Sequence, residues 1–401
     1  MLGELPAASL AEEIDTPGDG RIRALVTIAG NPVLSAPNSG RLDAALAGLD
    51  LMVAVDIYVN ESTRHADVVL PAPSLLRRSH YDVLLYRLAA RNVANYSGPT
   101  LPLGPGDLDE WEILCRLALA AQGQPHGPDD VAALDEGLAH AALRSAIGSA
   151  SGPVPGRDPA ELWSLLDGRT GPERLLDIAL RTGPYGDGFG TKPGGLTLAE
   201  LVARPHGIDL GPLMPRLPDV LRTASGMVEL APEPLMADFE RLRASLERPP
   251  ANGSGRLVLV GRRDLRSNNS WMHNLEVLVR GRPRCTLHVN PEDAGRLGLV
   301  DGSVACVASR VGEVEVPVEV TDRVRQGVVS MPHGWGHDRP GAELRVAATR
   351  AGVNSNLLAD ESQVDPLSGN AVLNGIPVTV MPSRSPGSEQ PDEADESLKG
   401  A

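Results

Sequence analysis

The segment from Gly255 to Val380 alternates short apolar runs with polar loops, and this pattern restricts the fold more than any other feature of the chain. Its clearest run is Glu313–Val320, where valine occupies every second position, as in a strand with one buried face. Pro317 lacks an amide hydrogen, so we expect this strand at a sheet edge or with a bulge. One short helix is predicted after Asn290, with proline at its first position. Many short strands with one helix predict a closed β-barrel over residues 255–382.

Two loops inside this segment concentrate hydrogen-bonding side chains between predicted buried strands. The first is Gly261-Arg-Arg-Asp-Leu-Arg-Ser-Asn-Asn-Ser-Trp-Met-His-Asn274. The second begins at Met331-Pro-His-Gly-Trp-Gly-His-Asp338 and resumes at 352–356 and 365–370. Because each polar atom removed from water needs a partner, this density predicts a pocket for a large polar ligand.

The beginning of the chain has a different pattern. Three short apolar runs predict buried parallel strands: Arg23–Ala29, Leu51–Val55 and Val68–Ala72. A helix is predicted between the first two, and strand–helix–strand order indicates α/β architecture, whose ligands bind beyond the carboxyl ends of the strands. Four polar side chains follow those ends and are candidate ligand contacts: Asn31, Asp56, Glu61 and Thr63. The alternative, that they cap helices and close turns, is left open by the pattern.

The predicted fold class is an α/β domain with a parallel sheet, a helical connector and a C-terminal barrel. Composition shifts give the expected boundaries: a loosely held segment at 1–20, the α/β domain at 21–122, the connector at 123–254, the barrel at 255–382 and a disordered tail at 383–401. A glycine-rich tract in the connector lacks the Lys-Ser/Thr ending of a phosphate-binding loop.

The net charge of −15 argues against a partner that is nucleic acid or an anionic membrane. Residues 255–284, however, hold seven arginines and two acidic residues, a local excess of five positive charges. This island predicts an anionic ligand such as a phosphate, although a solvated arginine rim would have the same composition. No apolar run approaches the roughly 20 residues of a membrane span, and the first residues do not resemble a secretory signal.

The three cysteines are scattered, without paired spacing. No protein-ligated zinc or iron–sulfur cluster is predicted in this chain, nor any disulfide framework, which is compatible with the reducing cytoplasm. His333 and His337 are four apart, but the glycines between them make a helix, and hence a metal-binding pair, improbable. We therefore predict no metal ligand and no catalytic side chain within this chain.

Residues 257–381 resemble the C-terminal dinucleotide-binding domain of the dimethyl sulfoxide reductase superfamily, which includes formate dehydrogenases and assimilatory-type nitrate reductases. The matching motifs are Gly-Arg…His-Asn (261–274), Val-Asn-Pro-Glu-Asp-Ala-Gly-Arg-Leu-Gly-Leu-Val-Asp-Gly (289–302), Ser-Arg-Val-Gly (309–312), Val-Arg-Gln-Gly-Val-Val (324–329), Asn-Ser-Asn-Leu-Leu (354–358) and Asp-Pro-Leu-Ser-Gly (365–369). Residues 23–122 resemble the preceding α/β domain through Gly-Asn-Pro-Val-Leu-Ser (30–35), Val-Asp-Ile-Tyr-Val-Asn-Glu-Ser-Thr (55–63), Ala-Asp-Val-Val-Leu-Pro (66–71) and Asp-Glu-Trp-Glu-Ile-Leu (109–114). The resemblance implies a six-stranded double-psi β-barrel.

It also implies a cofactor, two molybdopterin guanine dinucleotides (bis-MGD) that hold molybdenum or tungsten. In the α/β domain, Asn31 would lie near phosphates, Asp56 would accept from ribose or guanine, and Thr63 with Glu61 would complete that end. The barrel would contribute further cofactor contacts: Arg262, Arg266, Ser267, Asn268, Trp271, His273, Asn274, His333, Gly334, Trp335, Asn354, Asn356 and Asn370. Arginine suits pyrophosphate, and asparagine suits a heterocycle edge because its amide both donates and accepts. The asparagines could instead cap turns, and the two tryptophans could simply pack.

Family enzymes begin with an iron–sulfur motif and a domain that carries the metal ligand, and this sequence shows neither. We therefore expect the cofactor-binding half of an oxidoreductase, from a split enzyme or a truncated frame, that is inactive alone. Its partner would be an N-terminal half or subunit carrying the cluster and the metal ligand. The alternative is a non-catalytic molybdopterin- or nucleotide-binding module, such as a cofactor chaperone.

Overall fold

The computed structural model describes residues 4–247 and 256–383, so the end of the predicted connector and nearly all of the predicted tail lie outside the described residues. The chain divides into two compact units, one of Met1–Val69 with Leu230–Ala401 and the other of Leu70–Glu229. Residues 70–122, which we expected in the α/β domain, belong to the second of these units. In the described residues, no helix is long and apolar enough to cross a membrane.

The first part of unit 1 is a three-stranded sheet with short helices on one face. In chain order its elements are α1 (Leu10–Asp15), β1 (Ala24–Ile28), α2 (Pro32–Ser35), α3 (Ser39–Leu46), β2 (Leu51–Val55) and β3 (Val68–Leu70). β1 pairs parallel to β2, and the strand order is β1-β2-β3. Ala11 and Ile14 of α1 are buried against α3, so this part of the segment expected to be loose is packed. Their apolar side chains find cover on the helices of the sheet.

β1 departs from the expected buried strand. Leu25 packs toward the helices, but Val26 and Ile28 are each 53% exposed on the opposite face. Leu51 of β2 lies beside them at 45% exposure. A strand that is apolar on both sides is typical of a parallel sheet covered on both faces, and here only one face is covered by described residues of this unit.

Unit 2 is mostly helical. Its elements are β4 (His80–Tyr81), β5 (Arg91–Ala94), β6 (Tyr96–Ser97), α4 (Glu110–Ala121), α5 (Pro128–Gly148), α6 (Pro159–Ser164), α7 (Gly171–Thr182), α8 (Leu198–Val202) and β7 (Ile208–Pro212). α4 begins with a capping box formed by Asp109 and Glu112, as its acidic first turn predicts. In the core, the buried carboxylate of Asp135 accepts hydrogen bonds from Gly171 N and Arg174, each at 2.9 Å. These two bonds connect α5 to the start of α7.

The rest of unit 1 is dominated by a closed six-stranded barrel. Its elements are α9 (Glu233–Ala237), α10 (Phe239–Glu247), β8 (Arg256–Arg262), α11 (Glu276–Val279), β9 (Leu287–Val289), α12 (Pro291–Leu297), β10 (Val304–Ala308), β11 (Glu313–Val320), β12 (Val328–Pro332), α13 (Arg345–Ala348) and β13 (Ile376–Pro382). The strand order around the barrel is β10-β11-β9-β12-β8-β13. Inward-facing Val, Leu and Ile side chains form its core, as alternation within the strands predicts.

Pro317 lies in a strand with two neighbours, which corrects the expected edge position. β11 is antiparallel to β10, with Val304 opposite Pro317, and parallel to β9 from Val318 onward. The proline therefore comes just before the β9 ladder begins, so its missing N–H costs no bond there.

Candidate functional site

The loop after β1 holds Asn31 in one orientation. Its Oδ1 accepts a hydrogen bond from Ser62 Oγ at 2.7 Å, while Ser62 Oγ itself accepts from Val33 N at 2.9 Å. The Nδ2 of Asn31 consequently points to Glu61 Oε2, 2.7 Å away. Asn31 and Glu61, both predicted as ligand contacts, are thus joined to each other.

In the loop after β2, Asp56 and Thr63 bond mainly to their own turn. Asp56 Oδ1 accepts from Ile57 N at 2.6 Å, and Asp56 Oδ2 accepts from the Asn60 side chain at 3.0 Å. Thr63 Oγ1 accepts from Asn60 N at 2.7 Å and donates to Tyr58 O at 2.8 Å. Burial raises the pKa of Asp56, although these donors oppose the shift. This geometry fits the turn-closing alternative; their role as ligand contacts stays a prediction.

Arg262 lies at the end of β8, and its guanidinium donates mainly to backbone carbonyl groups of the barrel. Its guanidinium reaches the carbonyl oxygens of Ser330 at 2.5 Å, Thr286 at 2.7 Å and Arg284 at 3.2 Å. Arg266, four residues later, is exposed and has no side-chain partner among the described residues. Of these two predicted contacts, Arg266 is the one with free donors.

The remaining predicted residues of the first loop differ in burial. Ser267 and His273 are buried and joined by a 2.8 Å bond between Ser267 Oγ and His273 Nε2. Asn274 Oδ1 accepts from the backbone N–H groups of Val346 and Ala347, at 2.9 and 3.2 Å. It therefore caps α13. Two residues remain exposed: Asn268 and Trp271.

The second loop, 333–337, sends its side chains in different directions. His333 lines a cavity, whereas Trp335 is buried and stacks on His273 with 4.0 Å between ring centroids. The indole Nε1 of Trp335 is buried without a hydrogen-bond partner among the described residues. Gly334 has φ of 89°, and a Cβ at this position would lie 2.1 Å from Asn269 O. Only glycine permits this close approach of the two loops.

His337 joins the second loop to the first part of the unit. His337 Nδ1 lies 2.8 Å from Glu61 Oε1, and His337 Nε2 lies 2.8 Å from His273 Nδ1. Both histidines and Glu61 are at most 2% exposed. Burial raises the pKa of Glu61, but the hydrogen bonds from His337 and Asn31 outweigh it and lower the pKa.

The asparagines that follow tie the barrel to α2. Asn354 Nδ2 donates to Val33 O at 2.9 Å and to Ser39 Oγ at 3.0 Å, and Asn356 Nδ2 donates to Leu34 O at 2.7 Å. Asn370, by contrast, is exposed. The barrel loops and the strand ends of the sheet therefore converge within one compact unit.

Two cavities lie among these barrel loops. The smaller, of about 230 Å³, is lined by Arg263, Asp264, Ser267, Asn268, Asn269 and His333. The larger, of about 450 Å³, is lined on its polar side by Arg282, Arg284 and Arg350, with Trp335 and Cys285 among its other walls. Burial raises the pKa of the Cys285 thiol to about 11, so this cysteine is a neutral wall and not a reactive group.

The donor set around these cavities fits a molybdopterin dinucleotide. Arginine side chains and imidazole suit its phosphates, and the exposed amides of Asn268 and Asn269 suit a polar ring edge. The buried, unpartnered indole N–H of Trp335 is a further donor without an acceptor in the described residues. In the same residues, no group of three or more His, Cys, Asp or Glu side chains could hold a metal ion.

Several residues of this constellation were not predicted. His337 was considered only as half of a metal pair, and Ser62 was not singled out. The cavity arginines 263, 282 and 350 also escaped notice as individuals. Their signals were the Asn-Glu-Ser-Thr run at 60–63 and the excess of positive charge, neither of which identifies a particular partner.

Comparison with known proteins identifies the barrel. The family described as Molydopterin dinucleotide binding domain matches residues 257–377. The chain is 33% identical over 121 residues to the assimilatory nitrate reductase catalytic subunit of Bacillus subtilis, covering 29% of this chain and 16% of that protein. It is 22% identical over 357 residues to the dimethyl sulfoxide/trimethylamine N-oxide reductase of Rhodobacter capsulatus, covering 83% of this chain and 39% of that protein.

A solved structure extends the similarity of fold along the chain. Acetylene hydratase from Pelobacter acetylenicus superposes with a TM-score of 0.55 at 19% identity, covering 94% of this chain and 46% of that one. The chain thus spans less than half the length of these relatives. At this identity the superposition establishes the fold alone.

The barrel is a molybdopterin dinucleotide-binding domain. Along most of its length the chain is similar to the C-terminal portion of enzymes of the dimethyl sulfoxide reductase superfamily.

Proposed function

We propose that this chain is the cofactor-holding part of a molybdopterin-dependent oxidoreductase, and that it binds bis-MGD with molybdenum or tungsten. One observation carries the proposal most directly. The polar loops of a dinucleotide-binding barrel meet the strand ends of the sheet, through Glu61 and His337, beside cavities lined by arginine. The bound cofactor supplies two-electron redox or oxo-transfer chemistry, of the kind that formate dehydrogenases and nitrate reductases perform.

In this proposal the side chains with free donors act on the ligand. Arg266, Arg263 and His333 hold phosphate oxygens, because guanidinium and imidazole donate to anions. Arg263 also donates to Asn269 Oδ1 at 2.7 Å, and its guanidinium has further N–H groups for a ligand. Asn268 and the exposed Asn370 serve polar ring or ribose edges. Arg262, Asn354 and Asn356 act one step away, by fixing the loops that carry these groups.

We also propose that the barrel has double-psi topology. Support comes from its two parallel pairs, β8 with β12 and β9 with β11, within an otherwise antiparallel closed sheet. Residues 21–122, 123–254 and 255–382 remain our proposed domain boundaries. A cytoplasmic location is part of the proposal and is supported by three free cysteines.

A partner segment is proposed to cover the sheet face opposite α2 and α3. Val26, Ile28 and Leu51 are exposed there, although strands of this composition are normally buried on both sides. The relatives contain more than twice the covered length, so they hold polypeptide with no counterpart in this chain. We propose that such a segment, carrying the metal ligand and an iron–sulfur cluster, packs on this face.

Co-expression with any adjacent upstream frame, followed by metal and guanine-nucleotide analysis of the purified protein, tests the proposal. We expect two guanine nucleotides per molybdenum or tungsten, and a loss of both when Val26 and Ile28 are replaced by glutamate. Exposed Leu76 of unit 2, changed to glutamate, is the matched control. Nucleotide retained without any redox turnover would favour the cofactor-chaperone alternative, and no nucleotide at all would contradict both.

A further inference from the structure

Four side chains form an unbroken hydrogen-bonded chain through the interior of unit 1. Ser267 Oγ contacts His273 Nε2, His273 Nδ1 contacts His337 Nε2, and His337 Nδ1 contacts Glu61 Oε1, each at 2.8 Å. None of the four is more than 3% exposed. One end, Ser267, lines the smaller cavity, and the other end is a fully buried carboxylate.

With both imidazole rings neutral, the direction of every bond in this chain is determined from the Glu61 end. Val33 N–H donates to Ser62 Oγ, so the Ser62 hydroxyl proton points to Asn31 Oδ1, and Asn31 Nδ2 donates to Glu61. A carboxylate accepts and cannot donate, so His337 carries its proton on Nδ1. Its Nε2 must then accept.

The two remaining bonds have the same direction as the bond to Glu61. Because His337 Nε2 accepts, His273 carries its proton on Nδ1, and His273 Nε2 accepts from the hydroxyl of Ser267. Each of the three hydrogen bonds in this chain therefore contains one mobile proton, and the chain carries one net negative charge, at Glu61. All its donors point from the cavity toward the carboxylate.

We propose that Ser267, His273, His337 and Glu61 form a one-proton relay serving the group bound in the smaller cavity. A proton given to Ser267 Oγ releases the hydroxyl proton to His273 Nε2. His273 then passes its Nδ1 proton to His337 Nε2, and His337 passes its Nδ1 proton to Glu61. One proton enters, Glu61 becomes a neutral carboxylic acid, and only O–H and N–H bonds change; the reverse sequence returns the proton.

The groups around His273 favour transfer of the proton through its ring over formation of a stable imidazolium. Burial is the largest cause that lowers the pKa of His273 to about 4, and the Arg284 guanidinium acts in the same direction, against weaker opposition from the Gly334 backbone and Asp264. An imidazolium is therefore disfavoured at neutral pH. Among the described residues, Arg284 and Asp264 are the charged groups that act on His273, and Glu61 is the charged group in contact with His337.

The identity of the proton donor rests on the proposed function, since redox and oxo-transfer reactions at such cofactors take up or release protons. The relay itself is testable on the full chain without cofactor. Failure of the relay and failure of cofactor binding are therefore separate results.

Histidine-selective ¹⁵N labelling of the imidazole rings distinguishes the tautomers by NMR. In the wild-type protein we expect both His273 and His337 to carry the proton on Nδ1. Because Asn31 is held by Ser62, Glu61→Gln should place its carboxamide NH₂ toward His337 and reverse both rings to the Nε2-protonated form. Ser267→Ala is the matched control, and it should leave both tautomers unchanged.

The control also tests the entry point. Without the Ser267 hydroxyl, solvent exchange of the His273 Nδ1 proton should slow on the order of tenfold, the rate equivalent of one hydrogen bond. A purely structural latch between the two segments predicts the same tautomers, but no slowing of the His273 Nδ1 proton exchange in Ser267→Ala. Nε2 protonation of either ring in the wild type, or unchanged tautomers in Glu61→Gln, would overturn the relay. The wild-type tautomers can contradict the relay even if Glu61→Gln fails to fold, and unchanged exchange in Ser267→Ala would overturn it as well.

Discussion

Glu61 Oε1 and His337 Nδ1 lie 2.8 Å apart although 276 positions separate the two residues in the chain. Both are fully buried, so the bond forms only when the turn after β2 and the loop after β12 are assembled together. Breaking it would leave a buried carboxylate uncompensated, which is far costlier than leaving an exposed one. The contact therefore makes the first part of unit 1 and the barrel interdependent.

The buried histidine predicts a pH dependence of stability. The pKa of His273 falls from its ordinary 6.5 to about 4 in the folded protein. Between these values the unfolded chain binds a proton that the folded chain does not, so stability is full above pH 6.5 and declines as pH falls toward 4. The lost free energy of unfolding from this residue is roughly 3 kcal/mol.

Urea unfolding at a series of pH values measures this decline, with His273→Gln as the comparison. Burial also lowers the pKa values of His288 and His333, and both contribute with the same sign. The variant should therefore retain a shallower dependence. A slope equal to that of the wild type would show that His273 is not the group responsible.

Arg262 and Arg266 should separate stability from ligand binding. Arg262→Ala removes hydrogen bonds to three carbonyl groups of buried or half-buried residues and should lower the free energy of unfolding by about 2–4 kcal/mol. Arg266→Ala should change it by less than about 0.5 kcal/mol, since the side chain is exposed.

Cofactor retention should show the opposite ranking of these two variants. Arg266→Ala should weaken guanine-nucleotide retention about tenfold or more, because a charge-assisted bond to phosphate is lost. Thermal unfolding and nucleotide content of the two variants are the measurements. Equal retention in Arg266→Ala and the wild type would remove this residue from the proposed site.

Asn354 should act as a latch between the barrel and α2. Asn354→Ala removes donors to Val33 O and Ser39 Oγ in a buried position, and should cost about 1–3 kcal/mol of stability. Asn370→Ala, at an exposed position of the same region, is the control and should be neutral within about 0.5 kcal/mol. The midpoint of urea unfolding reports both, and a neutral Asn354→Ala would contradict the latch.

Gly334 should tolerate no side chain. Its φ of 89° resembles the φ of 82° at Gly375, but a Cβ at Gly334 meets Asn269 O, whereas Gly375 has nothing within 4 Å. Both alanine variants carry backbone strain of about 1 kcal/mol, and Gly334→Ala should lose at least about 2 kcal/mol more from the clash. Their difference in unfolding free energy isolates the loop-to-loop contact, and similar losses would argue against it.

Local sequence pattern predicted the elements of this fold well, because their causes are local. Valine at alternate positions of β11 gave its bounds, and Val314, Val316 and Val318 are buried as expected. Asn290 caps α12, and Gly298 ends it in the left-handed region. In contrast, local pattern does not tell which two strands pair with β11 or why one face of β1 is exposed. Both depend on distant chain segments or on partners.

The candidate site shows the same division. The polar loops of the barrel and the polar strand ends of the sheet could each be predicted from motif positions. The use of each side chain could not, because Asn354, Asn356 and His337 take partners more than 270 residues away. Residue type alone could not distinguish Arg262, whose side chain donates to barrel carbonyl groups, from Arg266, whose side chain has no partner among the described residues.

The central claim is that barrel loops and sheet strand ends form one cofactor site. Hydrogen–deuterium exchange of the full chain, with and without bound molybdopterin dinucleotide, tests it most directly. We predict that the cofactor slows amide exchange in both 31–34 and 263–274, together with 333–337. Protection confined to the barrel loops, or absent from all three segments, would contradict a shared site.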